Sequence, residues 1–272
     1  MARKIIITGA SGNLGSKLRA HLSKQDGVEL VCFDRLEAEG ILAADFAEYD
    51  PVWTEHFAGA DSVVHFAGQP SPRASWASVQ RNNIVATQNV LRALEAHKVP
   101  RMILATTNQV MGGYRGRTEI LTTDIMPAPL NPYAWSKLFC EEVSRDYVAR
   151  TGQSVIAFRI GNIMPGDNLP EGAIGLGTWG QEMWLSNRDM LNAMDLALAA
   201  PKDLGFALIN LVSNNEGMRW DLEGARKAIG YVPQDGMKMI YTDKVREDEA
   251  RALAARLEPG RWLDQHGFAL DG

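Results

Sequence analysis

The stretch KIIITGASGNLG, residues 4–15, constrains the fold more than any other. A β-branched run ending at Thr8 stops at Gly9, and the residues beyond take up helical spacing through Leu14, Leu18 and Leu22. Gly9, Gly12 and Gly15 therefore fall in a turn between a strand and a helix. Gly9 permits a tight turn, Gly12 lets the backbone approach a pyrophosphate, and Gly15 lets the helix pack closely on the strand. The first helical turn, Asn13 and Leu14 included, offers unpaired N–H groups and partial positive charge to phosphate oxygens. Glycines alone would serve any strand–helix turn. A strand before, a helix after and an acid closing the next strand make this one a dinucleotide site.

That acid is Asp34, at the end of VELVCFD. A carboxylate there accepts both ribose hydroxyls and repels a 2′-phosphate, so the cofactor expected is NAD rather than NADP. The adjacent Arg35 is a residue that could accept that phosphate. Asp45, in AADF, could bond an adenine amino group and reads equally as a loop acid.

The alternation continues down the chain. DSVVHFAG (61–68), RMILATT (101–107) and SVIAFRIGN (154–162) read as strands; a helix from Ala74 to His97 and another carrying NPYAWSK read as their connections. Strands alternating with helices imply an α/β fold with a doubly wound parallel sheet of Rossmann type. Beyond residue 163 the pattern loosens. Residues 164–180 read as a long Gly- and Pro-rich loop, followed by a helix in SNRDMLNAMDLALAAP, a strand in FALINLV and a tail that is helical from DLEGARKAIGYVPQD onward. The expectation is a nucleotide domain over 1–163, with 164–272 a small substrate-covering part that does not fold alone.

With 46% apolar residues, the chain can build one large core. A net charge of −5 gives no basic surface for nucleic acid. No apolar run is long enough to span a membrane. The two cysteines, Cys32 and Cys140, have neither disulfide-framework nor metal spacing, so no metal is expected. The first residues enter a strand at once, and the expected location is cytoplasmic.

Asn131 as N-cap and Pro132 at the first helical position begin the NPYAWSK helix. Tyr133 and Lys137, four residues apart, share one face. The apolar stripe runs through Trp135, Phe139, Val143 and Tyr147, away from that pair. Tyr133 and Lys137 are thus either an exposed pair or a phenol whose acidity a lysine alters. Thr106, Thr107 and Asn108 end the fourth strand, where ligands sit in a doubly wound sheet. His65 closes a buried strand and reads as a core histidine. Trp179, Met183, Trp184, Met190 and Met194 read as core or subunit interface.

Taken together, TGASGNLG, Asp34, HFAG (65–68), NN with ATQNVL (82–91), TTNQVMGG (106–113), YAWSK (133–137) and RIGNIMPG (159–166) resemble the extended short-chain dehydrogenase/reductase family, which includes NAD-dependent sugar epimerases and dehydratases. The resemblance covers residues 1 to about 166. It implies that Tyr133 is the acid/base, that Lys137 binds the nicotinamide ribose and lowers the phenol pKa, and that Thr107 takes the place of the usual serine. It further implies cofactor contacts from Phe46, Phe66, Ala67, Gly68 and Ile160. Asn83 matches a position that orients this region and reads equally as structural support.

Within the family the chain is most similar to uronate dehydrogenases, which oxidise C1 of a hexuronic acid to a lactone and release NADH. That likeness implies sugar contacts from Asn13, Ser71, Asn108, Gln109 and Asn162, besides Thr107 and Tyr133, and relates GTW (177–179) to a family S-T-W. Two departures bear on the substrate. Gln109 replaces a histidine, and the segment PEGAIGLGTW lacks the arginine that binds the sugar carboxylate in that subgroup. Arg73, Arg115 and Arg117 are the candidate replacements. The substrate is then a uronate, a neutral aldose or a sugar with another group at C6, such as a sulfonate. A sugar-nucleotide epimerase or dehydratase with retained NAD is the alternative. The resemblance also implies a homo-oligomer, assembled partly through the Tyr133 helix and the long helix before it.

Overall fold

The computed structural model describes residues 2–170, 174 and 177–256. Strands β1 (Arg3–Thr8), β2 (Val28–Asp34), β3 (Leu42–Ala43), β4 (Ser62–His65), β5 (Arg101–Thr107), β6 (Ser154–Ile160) and β7 (Phe206–Leu211) form one sheet in the order β3-β2-β1-β4-β5-β6-β7. Every pairing is parallel. The order reverses between β1 and β4, which opens a crevice at the carboxyl ends of the strands. The register brings Thr8 beside both Phe33 and His65, and Thr107 beside Ile160, so those ends lie along one edge.

The helices are α1 (Asn13–Leu22), α2 (Pro51–Thr54), α3 (Trp76–Val79), α4 (Ala86–His97), α5 (Pro132–Thr151), α6 (Gly177–Glu182), α7 (Asn187–Ala199), α8 (Glu223–Ile229) and α9 (Asp243–Arg256). Alternation along β1 sends Ile5 and Ile7 into a layer with Leu18 of α1 and Met190 and Met194 of α7. Ile6 goes to the opposite layer, with Trp53, Val90, Leu94 and Tyr147. Every residue of β5 and β6 is buried, as befits strands covered on both faces. The part after residue 163 gives β7 to the same sheet and α7 to one of its faces. Among the described residues no helix is long and apolar enough to cross a membrane.

Four local expectations change. The Ala74–His97 helix is interrupted by a π-helical turn, Gln80–Val85, which carries Asn82 and Asn83. The loop expected to run to residue 180 gives way to α6 at Gly177. The tail is not continuously helical, because Gly230 ends α8 in a left-handed conformation, φ 73°, and the next helix starts only at Asp243. The fourth change concerns α5. Trp135 and Phe139 of its apolar stripe are 44% and 42% exposed, whereas Tyr133, Ser136, Lys137 and Glu141 are buried. The buried face can be polar because its groups are satisfied: Glu141 pairs with Arg159 at 2.8 Å inside the core. Trp179, Met183, Trp184, Met190 and Met194 are all buried, as core residues.

Candidate active site

A cavity of about 610 Å³ runs along the carboxyl ends of the strands. Its floor is the glycine turn. Gly9 has φ 70°, and a Cβ there would stand 2.7 Å from the Ala67 nitrogen; one on Gly15 would stand 2.1 Å from the Gly9 oxygen. Gly12 caps α1 with no side-chain hydrogen bond, which leaves the first-turn N–H groups of Asn13, Leu14 and Gly15 for phosphate oxygens. These residues line the cavity, together with Phe66, Ala67 and Gly68 after β4. The cradle is shaped for a dinucleotide's pyrophosphate.

At the adenosine end Asp34, Asp45 and Phe46 line the wall. Asp34 Oδ2 accepts from the Ser11 N–H at 2.9 Å and the Ser11 hydroxyl at 2.6 Å; Oδ1 accepts from the Arg35 N–H at 2.7 Å. The sequence does not single out Ser11, because its partner lies 23 residues away and no spacing announces the contact. Arg35 is turned to Asn82 Oδ1 at 2.7 Å, and Asp45 is engaged by Arg81 at 2.9 Å and by the Ala47 N–H at 3.0 Å. Asp45 therefore serves first to tie the β3 loop to the π turn.

The opposite end is built by β5 and α5. Asn131 Oδ1 accepts from the Ala134 N–H at 2.8 Å and Pro132 occupies the first turn, so α5 starts at the cavity and sets Tyr133 and Lys137 on its wall. Thr107 lines the same wall and caps the 3₁₀ segment Asn108–Tyr114 by accepting from the Gln109 N–H at 3.2 Å. Thr106 is committed to the Phe158 carbonyl at 3.0 Å, which leaves Thr107 as the hydroxyl beside Tyr133. Gln109, Ile160 and Asn162 complete this end, with Met183, whose helical spacing in the sequence points only to core or interface. Gln109 is itself held by the Asn131 amide at 3.2 Å.

The electrostatics correct one expectation. Burial pushes the Tyr133 phenol up to about 12, against a downward pull from the Thr107 hydroxyl. Burial likewise pushes Lys137 below its ordinary value, and its ammonium donates to the Ala105 carbonyl at 2.9 Å. In the protein alone, then, burial of the would-be phenolate sets the direction of the shift. The ammonium retains two further N–H donors for a ribose.

Four expected contacts stand off the cavity. Asn83 is fully buried and clasps Ser136 Oγ at 2.8 Å, the Gln69 carbonyl at 3.2 Å and the Gln69 N–H at 2.7 Å, so it supports the β4 loop on α5. Ser71 caps its own turn by accepting from the Arg73 N–H at 3.2 Å, and Arg73 is exposed. Asn108, the first residue of the 3₁₀ segment, is fully buried and does not line the cavity. Asn13 lines the cavity, but its amide bonds the Ile163 carbonyl at 3.0 Å and Lys17 at 2.7 Å. It pins the loop after β6 over the start of α1. Arg115 and Arg117 pair with Glu249 and Glu119. His65 is buried between the hydroxyls of Thr8 and Thr87, a core residue as expected. Among the described residues no cluster could hold a metal ion.

The chain is similar to known proteins along most of its length. Residues 5–171 match the NAD dependent epimerase/dehydratase family. The chain is 33% identical to L-arabinose 1-dehydrogenase (NAD(P)(+)) of Haloferax volcanii, over 88% of this chain and 99% of that one. It is 29% identical to the NAD-dependent glucose-6-phosphate dehydrogenase of the same organism, over 92% and 100%. A mutant uronate dehydrogenase from Agrobacterium tumefaciens, solved with NAD, superposes with a TM-score of 0.75 at 27% identity, covering 93% of this chain and 90% of that one.

Proposed function

This chain belongs to the NAD dependent epimerase/dehydratase family, and we propose that within it the protein is an NAD-dependent sugar dehydrogenase that oxidises C1 of a hexose-type sugar to the lactone and releases NADH. The observation that carries the reading is the meeting of Thr107, Tyr133 and Lys137 on one cavity wall, continuous with the glycine cradle and Asp34.

The division of labour follows from that wall. NAD, when bound, supplies the hydride acceptor and a positive ring beside the phenol. Thr107 holds the reacting oxygen of the sugar. Tyr133 takes the hydroxyl proton as the C1–H bond breaks, and a neutral carbonyl carbon results, the ring oxygen making it a lactone. A phenol near 12 is a poor base at neutral pH, so Lys137 matters once a second positive charge stands beside it: together they favour the phenolate against the burial that opposes it. The C1 hydroxyl is the group expected to meet Tyr133, because relatives whose full length this chain matches are dehydrogenases of free or phosphorylated sugars. The same two relatives favour this reading over the epimerase alternative.

The protein is expected to work as a homo-oligomer, since Trp135 and Phe139 present an apolar face on α5 that a second copy would cover. The activity is tested by mixing the protein with NAD and either free aldoses or nucleotide-sugars. NADH should accumulate beyond one equivalent per subunit with a free aldose. Conversion of a nucleotide-sugar with no net NADH would overturn the proposal.

A further inference from the structure

Asn131 makes two bonds at the start of α5. Its Oδ1 accepts from the Ala134 N–H at 2.8 Å, and its Nδ2 donates to Gln109 Oε1 at 3.2 Å. The first bond fixes the second. A backbone N–H can only donate, so the Asn131 oxygen must face it and the Asn131 nitrogen must face Gln109. An amide nitrogen is donor-only and pairs with an oxygen, so the Gln109 amide is fixed in turn, its Oε1 committed to Asn131. Gln109 stands on the cavity wall with Thr107 and Tyr133, and Asn131 does not. The amide therefore carries its oxygen toward the helix cap and leaves its Nε2 on the cavity side. Among the described residues no group accepts from that nitrogen.

Backbone bonds keep the two amides in reach. The Gly113 N–H donates to the Ala128 carbonyl at 2.8 Å, and the Ala128 N–H to the Val110 carbonyl at 2.8 Å. The chain entering α5 thus lies against the 3₁₀ segment that carries Gln109. Gly113 permits the close approach: a Cβ there would stand 2.6 Å from the Ala128 Cβ. Gln109 also donates its backbone N–H to Thr107 Oγ1 at 3.2 Å. One residue is tied by its backbone to Thr107 and by its side chain to the cap of the helix bearing Tyr133.

Thr107 and Tyr133 take the reacting oxygen of the sugar. A neighbour that can only donate is suited to another oxygen of the same molecule, one with a lone pair to offer. Resting on the dehydrogenase reading above, we infer that Gln109 holds the sugar as a hydrogen-bond donor, through an oxygen other than the reacting one, and that Asn131 is the positioning residue that sets this polarity.

The test reads kcat, KM for a productive aldose and NAD affinity in variants of the two residues. Gln109→Leu removes the donor, and KM should rise about tenfold, with a smaller effect on kcat and none on NAD affinity. Gln109→Glu keeps the bond from Asn131 and turns an acceptor toward the sugar, so KM should rise at least as far. Asn131→Asp keeps the helix cap, since aspartate caps as well as asparagine, but has only oxygens to offer Gln109. The Gln109 amide should turn over, its oxygen toward the cavity, and KM should again rise about tenfold. Added to Gln109→Leu, Asn131→Asp should raise KM no further. A KM unchanged in Gln109→Leu, or unchanged or lowered in Gln109→Glu, overturns the donor assignment. A KM unchanged in Asn131→Asp, or effects of the two substitutions that multiply, overturns the role of Asn131. If Asn131→Asp does not fold, Asn131→Ser takes its place in the same cycle, as a cap with no amide to offer. Each of these results leaves the dehydrogenase reading intact, whereas no NADH from any free aldose with the unaltered protein overturns both.

Discussion

Ser11 donates both its backbone N–H and its hydroxyl to the same oxygen of Asp34, at 2.9 and 2.6 Å. The glycine turn thus sets the orientation of the acid that ends the neighbouring strand. A carboxylate has about four acceptor positions, so these bonds leave room for ribose hydroxyls. Asp34→Ala should raise the NADP-to-NAD ratio of kcat/KM by at least about tenfold, the equivalent of about 1.4 kcal/mol. Ser11→Ala should weaken NAD binding by a smaller factor without improving NADP. Cofactor titrations of the two variants check this; an unchanged preference in Asp34→Ala would place cofactor selection elsewhere.

Thr107 has two tasks on one oxygen: it caps the 3₁₀ segment and faces Tyr133. Thr107→Ser keeps both and should retain activity within several-fold. Thr107→Val loses both, and kcat should fall by about 10²-fold, the scale of removing one positioned polar group at a reacting oxygen. Steady-state rates on a productive sugar separate the two, and equal rates for Ser and Val would remove Thr107 from the mechanism.

Tyr133→Phe removes the proton acceptor and little else, since the ring stays in its place on α5. Turnover should drop by about 10²- to 10⁴-fold while NAD affinity changes little. Near-wild-type turnover in this variant would show that the proton leaves by another route.

His65 makes a prediction about stability. Burial, aided by repulsion from Lys137, pushes its pKa down to about 3 from an ordinary 6.5, so the native protein holds it neutral. A depressed pKa means that the unfolded chain binds the proton first. The stability His65 contributes is therefore full above pH 6.5 and is lost as pH falls from there toward 3. Unfolding free energy should decline over this window with a limiting slope on the order of 1.4 kcal/mol per pH unit from this one group, beyond the carboxylate titrations common to both proteins. Denaturant unfolding of the wild type and of His65→Gln at several pH values isolates the difference; identical slopes would contradict it.

Much of this molecule is written in short-range pattern. The glycine turn, Asp34, the fully buried strands and the start of α5 depend on residues a few positions apart, and each lies where the spacing places it. What the spacing could not supply depends on long-range partners. Ser11 is read only through Asp34, and the orientation of the Gln109 amide only through Asn131. The buried face of α5 runs against hydropathy because Arg159, from a strand, satisfies Glu141. The contacts carried over for Asn83 and Ser71 fail to reach the cavity for a related reason: a buried clasp and a short turn claim those side chains first.

The central claim is that C1 of a free sugar gives up its hydride to NAD and that the product leaves. It is tested most directly with a productive aldose deuterated at C1, by mass spectrometry of the NADH that accumulates over many turnovers. One deuterium per NADH, with the lactone or its hydrolysis product in equal amount, is the predicted result. Accumulating NADH without deuterium, or no net NADH while a nucleotide-sugar is converted, would contradict it.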